Sequence, residues 1–168
     1  MIKRDLTTEE GIRGFLEEKK QEAEQIVKGH GVLPPVAFLA SDDFPLGTAC
    51  LRLGTFSFGV AGQNAAFQYI KDQVKKHSAY AVLFIVSAAE IVGYKGELDP
   101  ELIKKAVESG EATTKNMILF HIDHRMMGTS VWSAEVLENG DLGELKVAEG
   151  AIPSSDLLRF IPPSEKAN

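Results

Sequence analysis

The chain has little cysteine, no long apolar run and no basic cluster, and each absence excludes a class of protein. Cys50 is the only cysteine among 168 residues, which excludes an intramolecular disulfide and a metal site built from several cysteines. The longest apolar stretch, 79–89, is about half the length that a helix needs to span a bilayer. Lysine and arginine occur in no group longer than a pair, and the formal charge is −6. We therefore expect neither a nucleic-acid nor a membrane partner.

The length and composition are typical of one globular domain. Apolar residues make up 44% of the chain and charged residues 25%. At roughly 150 residues per domain, this length predicts a single domain over 1–152, followed by a C-terminal tail over 153–168. The tail contains Pro162 and Pro163 and has no periodicity, so we expect it to be loose. No apolar segment follows the charged start, so we expect no signal peptide and a cytoplasmic protein.

Hydrophobic periodicity predicts three helices and six strands. The helices are expected over 7–28, 63–78 and 99–110, the first with a capping box formed by Thr7 and Glu10 and the third with Asp99 as its N-cap. The strands are expected over 36–40, 49–58, 81–88, 116–125, 129–138 and 142–148. The sequence therefore predicts a single α+β domain with a mainly antiparallel sheet of five or six strands. We expect the two longer helices to pack on one face of this sheet.

The last three strands form a meander whose register can be predicted. A three-residue turn that ends with Gly128 in the left-handed conformation places His121 opposite Ser133. The dipeptide Asn139-Gly140 is the strongest hairpin signal, and it places Lys146 opposite Ser133 on the other side. With these registers the aliphatic and aromatic side chains of the meander share one face, and a one-residue slip would scatter them over both faces.

The order of the elements resembles that of a group of small bacterial proteins of unknown function. The leading helix ends in His30-Gly31 before Leu33 and Pro35, and a second helix precedes the apolar strand 79–89, with Glu90 just after it. The strand pair 117–124 and 131–138 follows. The likeness covers roughly residues 7–150 and rests on pattern. It implies an α+β fold and no activity. This chain has Ala89-Glu90-Ile91 where the group usually has Glu-Ala-Trp.

The second face of the meander collects polar side chains, which suggest two kinds of chemistry. In one, His121 activates Ser133 as a nucleophile, although such serines usually lie on turns beside free backbone N–H groups. In the other, a divalent cation binds four of these side chains and relieves the repulsion between the two glutamates, as in a metal-dependent hydrolase or oxygenase. The four metal-ligating candidates are His121, Asp123, Glu135 and Glu144.

A third interpretation of this face is that it is an interaction surface. The charged residues are then solvated, with Lys146 screening the glutamates. Met117, Leu119 and Val131 share the face, however, and such apolar side chains are unfavourable in water. We therefore expect a second copy of the chain to cover the face in a homodimer, or a protein partner to do so. This is the preferred expectation for the function. It favours a binding protein without a cofactor over an enzyme.

Two further positions are candidates for chemistry. Gly59 and Gly62 lie between a possible strand and a helix, where free N–H groups suit a small anionic ligand. The loop lacks the lysine and hydroxyl residue of a P-loop, and its glycines equally suit a turn that begins a helix. Glu90 follows the central strand and is a candidate ligand or catalytic base. The alternative for Glu90 is a carboxylate that caps the junction between the strand and the next loop.

Overall fold

The computed structural model describes residues 3–31, 33–54, 60–97, 99–147 and 160–161. Its helices are α1 (Glu9–His30), α2 (Val60–His77) and α3 (Pro100–Ser109). Its strands are β1 (Val36–Ala40), β2 (Thr48–Arg52), β3 (Ala81–Val92), β4 (Thr113–His124), β5 (Gly128–Glu135) and β6 (Lys146–Val147). Within these ranges, no helix combines the length and the apolar character that crossing a membrane requires.

The six strands form one antiparallel sheet in the order β2-β1-β3-β4-β5-β6, which confirms the predicted α+β class. The two central strands, β3 and β4, each contain 12 residues and pair along their whole length. On β3, only residues 81–85 pair with β1. The second part of β3, from residue 86 on, therefore extends past β1 and pairs with β4 alone.

The two longer helices pack on opposite faces of the sheet, so the prediction that they share one face is wrong. β3 is apolar on both faces, and its alternate side chains enter two separate cores. Leu83 and Ile85 pack with α1 on one side, which we call face A. Val82 and Phe84 pack with α2 on the other side, which we call face B. A strand that is apolar on both faces must be covered on both. Here α1 covers face A and α2 covers face B.

Local signals set the helix ends. Thr8 is the N-cap of α1, and its Oγ1 accepts a hydrogen bond of 3.0 Å from the backbone N–H of Gly11. The predicted capping box on Thr7 is therefore one residue too early. α3 begins after Asp99, whose carboxylate accepts backbone N–H groups of the first turn, and ends at Gly110 with a φ of 84°, as predicted.

The register between β4 and β5 differs from the prediction by two residues. His121 lies opposite Val131, and Ser133 lies opposite Leu119. Because the slip is even, every side chain stays on its predicted face while its cross-strand partner changes. The register between β5 and β6 is confirmed, with Ser133 opposite Lys146.

The imidazole of His124, at the end of β4, stabilises the observed turn. Its Nδ1 accepts the backbone N–H groups of Met126 and Met127 at 3.0 and 3.2 Å. Its Nε2 donates to the carbonyl oxygen of Leu6 at 2.9 Å. The turn therefore begins directly after His124, which pairs with Gly128. These hydrogen bonds favour the observed register, and the turn dipeptides alone do not reveal them.

Two residues from the C-terminal part of the chain are described, and both belong to the folded domain. Phe160 and Ile161 are 2% and 0% exposed and pack in the face B core with Phe67 and Phe84. These two residues lie within the range 153–168 that the sequence predicts as a loose tail. The rest of that range lies outside the described residues.

Candidate functional site

Face B is divided into two halves. α2 and the pair Phe160–Ile161 cover β1, the beginning of β3 and the end of β4, and we call this region the closed half. The remaining region is a groove of about 530 Å³ whose lining residues come from β3 to β6 and the loop before β6, and none comes from a helix of the described chain. We call this region the open half, and define it by the groove side chains on this face: Ala88, Glu90, Lys115, Met117, Leu119, Ser133, Glu135, Glu144 and Lys146.

The open half has an apolar centre and a charged rim. Ala88, Met117 and Leu119 are each half-buried, and Ala88 lies directly opposite Met117 on the neighbouring strand. Glu90 lies opposite Lys115 at one end of this centre, with both side chains exposed. Glutamates and a lysine of β5, β6 and the loop before β6 border the other side. The surface therefore combines apolar side chains with charges of both signs.

Glu90 belongs to this rim. The prediction that it lies at the end of the central strand is wrong. β3 continues to Val92 and pairs with β4 as far as Thr113. After Ile85 the strand changes from continuous burial to partial exposure, because β1 no longer lies beside it. In the sequence, this change from apolar to partly polar residues looks like the end of a strand. A mid-strand carboxylate opposite a lysine is typical of a solvated sheet surface.

His121 and Asp123 lie in the closed half, where they are 6% and 0% exposed. Asp123 Oδ2 accepts the backbone N–H groups of both Phe160 and Ile161, each at 2.8 Å. Its Oδ1 accepts the hydroxyl of Thr129 at 3.0 Å. The imidazole of His121 meets the ring of Phe160 edge-on, with 6.0 Å between ring centres. Asp123 thus attaches the C-terminal segment to the sheet.

The four predicted metal ligands do not come together. His121 and Asp123 are covered by the C-terminal pair, whereas Glu135 and Glu144 line the open groove. Glu135 lies opposite Met117, four residues along β4 from His121, which corresponds to about 13 Å. Among the residues that the structure describes, no three His, Cys, Asp or Glu side chains form a group that could hold a metal ion. The two-residue slip moved the glutamate away from the histidine.

The predicted pair of Ser133 and His121 is also separated by that slip. Ser133 lies opposite Leu119 and, on its other side, opposite Lys146. Because the strand is paired on both sides, its backbone N–H groups are used in the sheet and none is positioned to stabilise an oxyanion beside Ser133. A nucleophilic role for Ser133 therefore has no support in this geometry.

The glycine loop is described only in part. Gly62 is buried in the first turn of α2, which begins at Val60, three residues before the predicted start. Gly59 lies outside the described residues. The binding of an anionic ligand at this loop stays a prediction.

A second groove, of about 580 Å³, lies on face A between α1 and the edge formed by β1 and β2. Ile26, Pro35 and Phe38 contribute apolar surface, and Cys50 faces it from the edge strand. Partial burial raises the pKa of the Cys50 thiol, an effect that Arg52 and Lys19 oppose. Cys50 is exposed on the edge strand, and the raised pKa lowers the thiolate fraction of its side chain at neutral pH.

The role of Asp123 is the main functional feature that sequence reasoning missed. The local sequence gives little signal, because Asp123 lies among polar residues at the end of β4, beside His121 and His124. The donors are 37 and 38 residues away in the chain, in a region without periodicity, so the sequence pattern does not identify them.

A comparison with models of protein families, with curated proteins and with solved structures finds no match to this chain. The resemblance to the group of small bacterial proteins stays a prediction. The two halves of face B are therefore the features of the molecule from which a function is inferred.

Proposed function

We propose that this protein acts through self-association, as a homodimer whose subunits pack through the open half of face B. The observation that carries the proposal is the half-buried apolar centre formed by Ala88, Met117 and Leu119 on the two central strands. Apolar side chains gathered on one surface favour association, because burial removes them from water. The geometry supports a binding surface better than a catalytic site.

Charge complementarity supports a second copy as the occupant. A two-fold axis through the apolar centre brings each rim against the same rim in reverse orientation. The rim carries Lys115 and Lys146 together with Glu90, Glu135 and Glu144. The lysines of one subunit can therefore meet the glutamates of the other, which gives a self-complementary surface. Such rim pairs contribute more to orientation and specificity than to affinity.

Sedimentation velocity at micromolar concentration tests this proposal. We expect the wild-type protein to sediment as a dimer and the variant Leu119→Lys to sediment as a monomer, since the two-fold axis brings two lysines together at the apolar centre. Leu119 is half-exposed in a single subunit, so a lysine there can extend to solvent without unfolding the monomer.

The matched control is Leu46→Lys. Leu46 is 39% exposed in the turn between β1 and β2, at the opposite end of the sheet from β5 and β6. The same change of residue there should leave the dimer intact. A wild-type protein that is monomeric throughout the micromolar range contradicts the proposal, as does a Leu119→Lys variant that remains dimeric.

A further inference from the structure

The closed half of face B holds a short piece of chain by its backbone as well as by its side chains. Asp123 Oδ2 accepts two consecutive backbone N–H groups, those of Phe160 and Ile161, at 2.8 Å each. The ring of Phe160 meets the ring of Phe67 at 5.8 Å and that of Phe84 at 6.0 Å, both edge-on. The segment is thus bound by a carboxylate and an aromatic pocket, which are features of a peptide-binding site.

If this position only had to be packed, a carboxylate would be unfavourable, because its burial costs desolvation free energy. A buried carboxylate must be compensated by hydrogen bonds, and a well-packed apolar residue is often at least as stabilising. What the carboxylate adds is recognition of a main chain that presents two N–H donors in succession. The hydroxyl of Thr129 at 3.0 Å from Asp123 Oδ1 holds the carboxylate in the orientation that receives both donors.

We propose that this pocket is a recognition site for a peptide segment in which an aromatic residue is followed by an aliphatic one. The chain's own Phe160–Ile161 is the occupant in the resting protein. The pocket binds two features of the ligand. Asp123 accepts the paired N–H groups, and Phe67 and Phe84 contact the aromatic ring. The site is separate from the open half, so it stands whether or not the protein dimerises.

The test uses the full-length variant Phe160→Ala, in which the native segment no longer fills the aromatic pocket. The probe is a fluorescently labelled peptide with the sequence of residues 156–163, and its binding is followed by fluorescence anisotropy. Because the native segment competes in the wild-type protein, we expect the peptide to bind Phe160→Ala about tenfold more tightly than wild type. The same peptide with alanine in place of its phenylalanine should bind about tenfold more weakly, since it lacks the ring.

Two further variants make the test specific. Phe15→Ala removes a buried ring from the face A core, where Phe15 is 4% exposed, and this variant should bind the peptide no better than wild type. Asp123→Asn, added to Phe160→Ala, should weaken binding by about tenfold, because a neutral amide oxygen replaces the charged acceptor of two hydrogen bonds. A folded Phe160→Ala variant that binds no better than Phe15→Ala, or whose binding is unchanged by Asp123→Asn, overturns the proposal.

The wild-type protein supplies an independent test if Phe160→Ala does not fold. An excess of the unlabelled peptide should displace the native segment and increase deuterium exchange at the amides of Phe160 and Ile161, while exchange in β3 and β4 stays unchanged. Exchange at these two amides that does not respond to the peptide overturns the proposal.

Discussion

The closed and open halves of face B are built from the same two central strands and differ in what lies over them. In the closed half, Val82 and Phe84 of β3 are buried beneath α2. In the open half, the same alternation continues with Ala88 and Glu90, which are half-buried and exposed. The strand therefore changes from buried on both faces to partly exposed where β1 and the helix cover end. The burial pattern along β3 therefore follows how far α2 extends over the strand.

The comparison also shows that acidic residues on one face can have different physical roles. Asp123 is fully buried and accepts backbone hydrogen bonds that hold the C-terminal segment. Glu135 lies on β5, two strands from β3, where it is half-buried at the rim of the open groove. In the sequence the two residues look equivalent, because both alternate with apolar neighbours. The variants below follow in order of decreasing effect, and the first pair uses this contrast directly.

The largest effect is expected for Asp123→Ala. Removal of the carboxylate leaves two buried backbone N–H groups without their acceptor, so the free energy of unfolding should fall by about 4 kcal/mol. The matched change on the open side, Glu135→Ala, should alter it by no more than about 0.5 kcal/mol. Urea denaturation followed by circular dichroism measures both values. Similar losses in the two variants would show that the distinction between the halves is wrong.

A second pair of variants compares leucines on the two central strands. Leu83 is 4% exposed in the face A core, so Leu83→Ala should lower the free energy of unfolding by about 3 kcal/mol. Leu119 is only half-buried within one subunit, so Leu119→Ala should lower it by about 1 kcal/mol in the monomer. The measurement is made by urea denaturation at the lowest workable protein concentration. If the cost of Leu119→Ala grows as the protein concentration rises, a second subunit covers this residue.

The turn that determines the register of β4 and β5 is tested by His124→Ala. This variant loses the acceptor for the N–H groups of Met126 and Met127 and the donor to Leu6, so we expect a loss of about 2 kcal/mol. The control is His30→Ala, because His30 is exposed in the last turn of α1 and should contribute at most about 0.5 kcal/mol. Thermal unfolding followed by circular dichroism compares the two. Equal midpoints would contradict the role assigned to His124.

The smallest effect concerns the thiol of Cys50 on face A. Partial burial raises its pKa, so at a pH just below that pKa the folded protein holds less thiolate than the unfolded chain does. Alkylation by iodoacetamide should therefore be slower in the folded protein and should accelerate on unfolding in urea. A small thiol in the same urea solution corrects for the solvent, and equal corrected rates would contradict the burial effect.

The same shift of the Cys50 pKa has a consequence for stability. The folded state binds the thiol proton more tightly than the unfolded state does, so the contribution of this group is present below the unfolded pKa and declines as the pH rises through it. The stability of wild type relative to Cys50→Ser should therefore decrease slightly on the alkaline side. A difference that is constant with pH would contradict this sign.

Several elements followed directly from local sequence signals. The strand Val36–Ala40 and the helix between Asp99 and Gly110 were predicted with their correct bounds. In each case the decisive residues are neighbours in the chain: an apolar run after two prolines, or a capping aspartate before a proline. The apolar face of β4 and β5 was also predicted correctly, because it depends only on alternation and survives a slip of two residues.

The candidate site was predicted less well, because its geometry depends on contacts between distant residues. His121 and Ser133 were assigned to opposite positions from turn chemistry, and the ring of His124 moved the turn. The sequence predicts that a strand ends before Glu90, although β3 and β4 continue beyond the edge of β1. In both cases the local pattern is compatible with two arrangements, and packing selects one.

By itself, the sequence determined the α+β class, most of the secondary structure and the face on which each strand residue lies, since these depend on backbone hydrogen bonding and on periods of 2 and 3.6 residues. Only the tertiary structure decided which face each long helix covers, how much of face B the described residues cover, and that Asp123 binds Phe160 and Ile161. The physical reason is that burial is a property of the surroundings. The same side chain is part of the core or of a binding surface according to what the rest of the chain places over it.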